Sequence, residues 1–237
     1  MANALDSAIP IACWSCHIAQ NDLTLFCSHC SKIQPASAGD FFQVFGLERA
    51  FQIDLEELER EFHRLSRRLH PDRFARASEQ EREWSLADTA LLNDAYRTLK
   101  DPLFRTEYLL KLEGAAIGEE HAGKNRPQNA SDPSRVPPDL LEEVFELNMQ
   151  LEEMREAKAA GSADSGLQAN LEAAKSKFDG LVEEVDEDLR RQWRQWDEGD
   201  GPAREDAKTA MVKLLDRRRY LSNLVRDVTE TLANEQG

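Results

Sequence analysis

The sequence predicts a mainly α fold in three parts: a small N-terminal four-cysteine metal ribbon, a compact helical domain, and a C-terminal three-helix bundle. Three observations predict it. All four cysteines fall between residues 13 and 30 as two C-x2-C pairs. From Phe41 onward apolar residues recur at steps of three and four, the helical period. A stretch rich in glycine and proline, 113–138, then separates two such helical regions. With 237 residues, 41% of them hydrophobic, the chain is long and apolar enough to bury more than one core.

The ribbon spans residues 1–36. Cys13-Trp14-Ser15-Cys16 and Cys27-Ser28-His29-Cys30 form two turns ten residues apart, so each pair can place two sulfurs on one side of a tetrahedral ion. Cys13, Cys16, Cys27 and Cys30 are therefore the expected ligands of one structural zinc ion. With four protein ligands the site is closed, leaving no position for an activated water. Iron in a four-thiolate, rubredoxin-like site is chemically open as well, which would make the chain an electron-transfer protein. His17 and His29 flank the turns and are expected outside the ligand set.

Next comes the helical domain, 37–112. Leu55, Leu58, Phe62, Leu65 and Leu69 make one face of a helix that Asp54 caps, with Glu57 at the capping-box position and Pro71 at its end. On the opposite face Arg60, Arg64, Arg67 and Arg68 lie within roughly 100° of one another on a helical wheel. His70-Pro71-Asp72 follows at once, with proline expected to end the helix and hold an imidazole and a carboxylate at an exposed tip. A second helix is expected over 79–100, closed by Asp101-Pro102, and a short one over 103–112.

Residues 113–138 read as a linker. Beyond it, 139–237 forms the bundle, with helices expected over 139–159, 165–197 and 203–234, broken at Gly161/Gly166 and at Gly199/Gly201-Pro202. In the first of these, Leu140, Val144, Leu147, Leu151 and Met154 form the core stripe. Leu141, Phe145 and Met149 form a second stripe centred roughly 140° away, flanked by Glu142, Glu146 and Glu153, and a rimmed apolar patch of this kind marks a partner site. Trp193 and Trp196 are read as packing residues. Neither a strand-period segment nor an internal repeat stands out.

The formal charge of −15 lies mostly in the C-terminal half: residues 41–112 carry 12 basic and 14 acidic groups, and residues 1–40 one lysine and three aspartates. Such a surface repels phosphates, which argues against nucleic acid or an anionic membrane and for a protein partner. The start MANALDSAIP has no basic, apolar leader and no Arg-rich transit pattern, so a bacterial cytoplasm is expected ahead of a mitochondrial matrix. A homodimer is left open.

The helical domain resembles a J-domain. His70-Pro71-Asp72 after a four-arginine face, then Leu91-Leu92-Asn93-Asp94-Ala95-Tyr96-Arg97-Thr98-Leu99 and Asp101-Pro102, carry the likeness. Phe41-Phe42-Gln43-Val44-Phe45-Gly46-Leu47 and the segment Arg105-Thr106-Glu107-Tyr108-Leu109-Leu110 resemble one branch of J-proteins, the HscB-type (Jac-type) co-chaperones of iron–sulfur cluster assembly. That resemblance implies an activator of a chaperone ATPase, not an enzyme. Its partners would be a DnaK/HscA-type heat-shock chaperone, met by His70, Pro71, Asp72 and the arginine face, and the iron–sulfur cluster scaffold protein. Carried over residue by residue, the family's client contacts fall on Leu141, Phe145, Glu146 and Met149, and on Arg219 and Tyr220. A J-domain protein with a different client is the alternative.

Overall fold

The computed structural model describes residues 11–20, 24–35, 39–117, 136–162 and 165–233. Short backbone ladders hold the ribbon. β1 (Ile11–Ala12) and β2 (Ala19–Gln20) pair antiparallel around the first cysteine turn, and one bridge joins Phe26 to Ile33 around the second. Strands of two residues are too short for alternation to register, which is why the sequence shows none. The two turns are also built alike. Cys13 N–H donates to Ile18 O at 2.9 Å and Cys27 N–H to Lys32 O at 2.8 Å, while His17 N–H reaches Cys13 O and Ser31 N–H reaches Cys27 O, each at 2.9 Å. His17 and Ser31 share a φ of 59°. This repetition of backbone escapes a search for repeated letters because only the cysteines recur.

Five helices follow. α1 (Phe41–Phe45) is held by a capping box between Asp40 and Gln43 and ends at Gly46, whose φ of 68° suits a residue without Cβ. α2 (Leu55–Leu69) starts at Asp54, which accepts the N–H groups of Glu56 and Glu57. Leu58, Leu65 and Leu69 are buried, and Phe62 stacks on Tyr96 with ring centroids 4.0 Å apart. Leu55 departs from the expected core face and is 48% exposed. It is the first helical residue, and side chains on a helix lean toward its N-terminus, so this one hangs past the end of the packing surface. Pro71 does not lead into a loop: it opens a short helix α3 (Pro71–Phe74), where a missing N–H costs nothing.

α4 (Glu79–Lys100) begins with a capping box between Ser78 and Glu81, and α5 (Pro102–Leu112) with Asp101 accepting from Leu103 and Phe104 N–H. α1, α2, α3 and α5 all pack on α4. Buried Arg105 is satisfied by carbonyls, its Nε donating to Phe51 O at 2.8 Å and its Nη1 to Leu99 O. The two ends of this helical domain are clasped together. Phe41 N–H donates to Tyr108 Oη at 2.9 Å, their rings stack at 4.5 Å, and Arg49 reaches Asp40 at 2.7 Å and Glu113 at 3.8 Å.

Asp88, on α4, is fully buried, and among the described residues neither carboxylate oxygen has a hydrogen-bond partner. Burial pushes its acid up to about 7 from 3.8. A folded pKa above the unfolded one means that the native state holds the proton more tightly. The contribution is therefore intact below the unfolded value and is lost as pH rises through the folded one. Asp88→Asn should gain on the parent between pH 5 and pH 8, by roughly 2–4 kcal/mol for a shift of this size. Urea unfolding at the two pH values checks it; a pH-independent difference between variant and parent would refute the assignment.

The second helical region starts with a 3₁₀ turn (Pro138–Leu140) and continues as α6 (Leu141–Ala159), α7 (Ser165–Glu198) and α8 (Gly201–Ala233). The sequence places a break at Gly201-Pro202, but proline sits comfortably in the first turn of α8. The chain turns instead at Gly199-Asp200. A Cβ on Gly199 would lie 2.4 Å from Gln195 O, so only glycine fits there. Cross-links fix an up-down-up order: Lys177 to Glu143 at 3.3 Å, Arg218 to Asp186 at 2.5 Å, Arg217 to Asp139 at 2.7 Å, and Lys158 Nζ to Thr231 O. The expected stripe of Leu140, Val144, Leu147, Leu151 and Met154 is buried, as are Trp193 and Trp196. The Arg204 guanidinium lies 4.4 Å over the Trp196 ring. The chain divides into two compact units, Met1–Glu113 and Gly114–Gly237. Most of the stretch expected as a linker, 118–135, lies outside the described residues. None of the described helices is long and apolar enough to cross a membrane.

Candidate functional site

The four cysteine sulfurs lie within 4.8 Å of one another. Cys13 to Cys30 is 3.6 Å and Cys16 to Cys27 is 3.8 Å. A tetrahedron with metal–sulfur bonds of about 2.3 Å has edges of about 3.8 Å, so the sulfurs already stand at the corners of a zinc-sized site. Backbone N–H groups point at them: Ser15 at Cys13, and His29 and Cys30 at Cys27, each at 3.4 Å. Gln34 Nε2 adds a contact to Cys13 at 3.5 Å. At Cys13 burial opposes ionisation, but the N–H groups of Cys16 and Ser15 and the neighbouring thiols outweigh it and bring the thiol down to about 6. At Cys16 the Ile18 N–H eases ionisation, yet burial and the three surrounding sulfurs push the thiol up to about 12. Four thiols so close together cannot all lose their protons unless a cation sits among them. The donor set therefore fits a closed metal centre. Both histidines beside it are exposed, as expected.

A ribbon this small cannot bury enough apolar surface to hold itself, so its fold should depend on the ion. Cys13→Ser is expected to lose most of the bound metal and to release the amides of residues 24–35 to solvent exchange while α2 and α4 stay protected. Metal analysis with hydrogen exchange checks this, and loss of all helical signal would contradict the modular reading.

His70 ends α2 and caps α3, accepting Asp72 N–H on Nδ1 at 3.3 Å. An acceptor Nδ1 leaves the proton of the neutral ring on Nε2, on the open side of the turn. His70, Pro71 and Asp72 are all exposed. On the basic face of α2, Arg60 stands 3.9 Å from Glu56, and Arg64 donates to Glu61 at 2.7 Å. Arg67 is exposed, and among the described residues no carboxylate pairs with it. Arg68 is placed differently: its guanidinium lies 3.8 Å over the Phe26 ring of the ribbon. Burial, then Arg64 and Arg73, lower its affinity for the proton. Arg73 therefore belongs to the same positive cluster, which the sequence reading missed because it counted only the helix before the proline.

Across the bundle, Leu141, Phe145 and Met149 are 50%, 68% and 60% exposed, while their neighbours on the other stripe are buried. Glu146 accepts from Gln150 Nε2 at 3.2 Å. A groove of about 330 Å³ runs beside the stripe between α6 and α7, lined among others by Glu143, Glu146, Gln150 and Lys177. The two hydrogen bonds from Arg217 to Asp139, at 3.0 and 2.7 Å, tie α8 to the start of α6. Arg219 and Tyr220 thus share the end of the bundle that carries Leu141 and Phe145. Arg219 stands 3.5 Å from Asp216, and burial raises the phenol pKa of Tyr220.

No model of a protein family matches the chain. It is 30% identical over 225 residues to the iron–sulfur cluster co-chaperone protein HscB of Mus musculus, a match covering 93% of this chain and 82% of that one. It is 32% identical over 167 residues to the HscB homolog of Arabidopsis thaliana, covering 70% of this chain and 61% of that one. To the Vibrio cholerae co-chaperone HscB homolog it is 41% identical over 113 residues, 48% of this chain and 60% of that one. Among solved structures, the chaperone HscB from Vibrio cholerae superposes with a TM-score of 0.54 at 28% identity, covering 83% of this chain and 99% of that one. The fold is also that of human HscB, with a TM-score of 0.63 at 24% identity over 93% of this chain and 98% of that one. The ribbon, the two helical regions and their order are shared along nearly the whole chain, which belongs to the HscB family of iron–sulfur cluster co-chaperones.

Proposed function

We propose that this protein holds an iron–sulfur cluster scaffold protein on its bundle and presents it to a DnaK/HscA-type heat-shock chaperone, whose ATPase it stimulates. One observation carries the reading: a single chain exposes two sites of opposite chemistry, a cationic His-Pro-Asp turn on one unit and an apolar, acid-rimmed stripe on the other. The names of the relatives agree with it. Residues 37–112 act as the J-domain. Arg60, Arg64 and Arg67 meet acidic groups of the chaperone, and the His70 turn offers an outward Nε2–H beside the Asp72 carboxylate. No bond is made or broken on this chain, since both groups stand in water with no dry pocket to tune them.

On the bundle, Leu141, Phe145 and Met149 supply apolar anchors, with Glu146, Arg219 and Tyr220 around them. Coupling arises because the client is held while the chaperone is driven toward its tight-binding state. Zinc at Cys13, Cys16, Cys27 and Cys30 is structural; a four-thiolate iron site would colour the purified protein, and a colourless one is expected. A bacterial cytoplasm is the proposed location.

Pull-down of the full chain from its native lysate should recover a DnaK-type chaperone together with an iron–sulfur scaffold. Recovery of neither, or of the chaperone with an unrelated client, overturns the proposal.

A further inference from the structure

The ribbon does not hang free of the helical domain, and the place where it docks is specific. Three contacts join them: the Phe26 ring under Arg68 at 3.8 Å, Trp14 edge-on to Trp84 at 5.5 Å, and Lys32 Nζ to Glu81 Oε1 at 2.8 Å. Each ribbon residue is set by a cysteine turn. Lys32 O accepts Cys27 N–H, Trp14 lies between Cys13 and Cys16 and donates from its indole to Ile33 O at 2.6 Å, and Phe26 precedes Cys27. Whatever orders the four sulfurs therefore orders all three contacts.

On the other side, the partners converge on the segment that carries His70. Arg68 is two residues before it. The Glu81 carboxylate is shared: Oε1 takes Lys32, while Oε2 takes Ser78 N–H at 3.2 Å and Ser78 Oγ at 3.0 Å, closing the cap of α4. One turn further along α4, Ser85 Oγ donates to the carbonyl of Leu69 at 2.6 Å, the residue next to His70. Buried Ser85 and Glu81 leave this path little slack. Those bonds run without a gap from the metal turn to the last residue of α2.

We propose that the metal-bound ribbon is a brace for the His70–Asp72 turn, with Phe26, Lys32 and Trp14 as positioning residues that fix where the turn stands without touching the chaperone. The proposal rests on the co-chaperone reading for its functional consequence, but its structural part can be measured without a chaperone. It also gives the fourth arginine of α2 a role of its own. Arg68 is held by Phe26, which leaves the other three for docking.

The experiment compares the full chain with Phe26→Ala and Phe26→Tyr, and with His70→Gln as the reference for the chaperone assay. Phe26→Ala should keep its metal, because no ligand is altered. The Asp72 amide, which bonds to His70 Nδ1, should exchange roughly five- to tenfold faster, the scale set by losing one partly desolvated cation–π contact at a local opening. With a purified DnaK-type chaperone, the concentration giving half-maximal ATPase stimulation should rise several-fold while the maximal stimulation stays, and Phe26→Tyr should restore both readouts. Unchanged exchange at Asp72 overturns the brace whatever the ATPase does. A loss of stimulation with unchanged exchange does so too, since it would make Phe26 a direct contact. If His70→Gln still stimulates, the co-chaperone reading falls, while faster exchange in Phe26→Ala would still establish the brace.

Discussion

His70→Gln is expected to remove chaperone stimulation while leaving the fold and the client site as they are. The ring is exposed, and its one structural bond is the cap it offers to Asp72 N–H, so its loss costs at most about 1 kcal/mol of stability. At the interface the same ring sits at the centre of the proposed contact. Losing a hot-spot residue there costs at least about 2 kcal/mol, enough to reduce stimulation roughly thirtyfold at a fixed, subsaturating concentration. A single-turnover ATPase assay with the melting temperature measured alongside separates the two effects. Charge reversal on α2 should act more weakly and in a salt-dependent way. Arg67→Glu should do more than Arg64→Glu, because Arg64 is already partly neutralised by Glu61 at 2.7 Å. Full stimulation by the His70 variant would sink the J-domain assignment.

Replacing Leu141 and Phe145 by alanine should separate recognition from packing in the bundle. Both are at least half exposed, at 50% and 68%, whereas Leu147 on the same helix is 1% exposed. Truncating Leu147 leaves a cavity and should cost roughly 2–5 kcal/mol of stability. Truncating the exposed pair should leave the melting temperature nearly unchanged and weaken scaffold binding by about 2 kcal/mol or more, roughly thirtyfold. Titration calorimetry with the scaffold protein, run beside thermal melts of both variants, checks the contrast. A double variant that melts as early as Leu147→Ala would show that the stripe is packing.

What the sequence could reveal depended on whether a feature was periodic. The long helices announce themselves because their buried faces repeat every three to four residues, and the four cysteines do so because a thiolate site needs that spacing. α1 and α3 span five and four residues, too few for a period, and only their caps betray them: Asp40 with Gln43, and His70 before Pro71. The two stripes of α6 were separable on a wheel because one was filled with leucine, valine and methionine and the other was rimmed by glutamates. The docking of the ribbon left no such trace. Phe26 and Trp14 read as residues beside cysteines, and Arg68 as one more cation on a charged face, since nothing local says that a ring and a guanidinium more than forty positions apart will meet. Asp88 was equally silent, because burial of a lone carboxylate is decided by the helices around it and not by its neighbours in the chain.

The Arg49 clasp, which holds both Asp40 and Glu113, places the points where the backbone enters and leaves α1–α5 side by side. A segment built this way behaves as a cassette. Its ends can be joined by a short connection and new ones opened in a surface loop, because the loop-closure entropy is small and the packing on α4 is untouched. For the same reason, evolution can exchange what is attached before residue 39 or after residue 113 without disturbing the helices between. A ribbon can be gained on one side and a bundle replaced on the other.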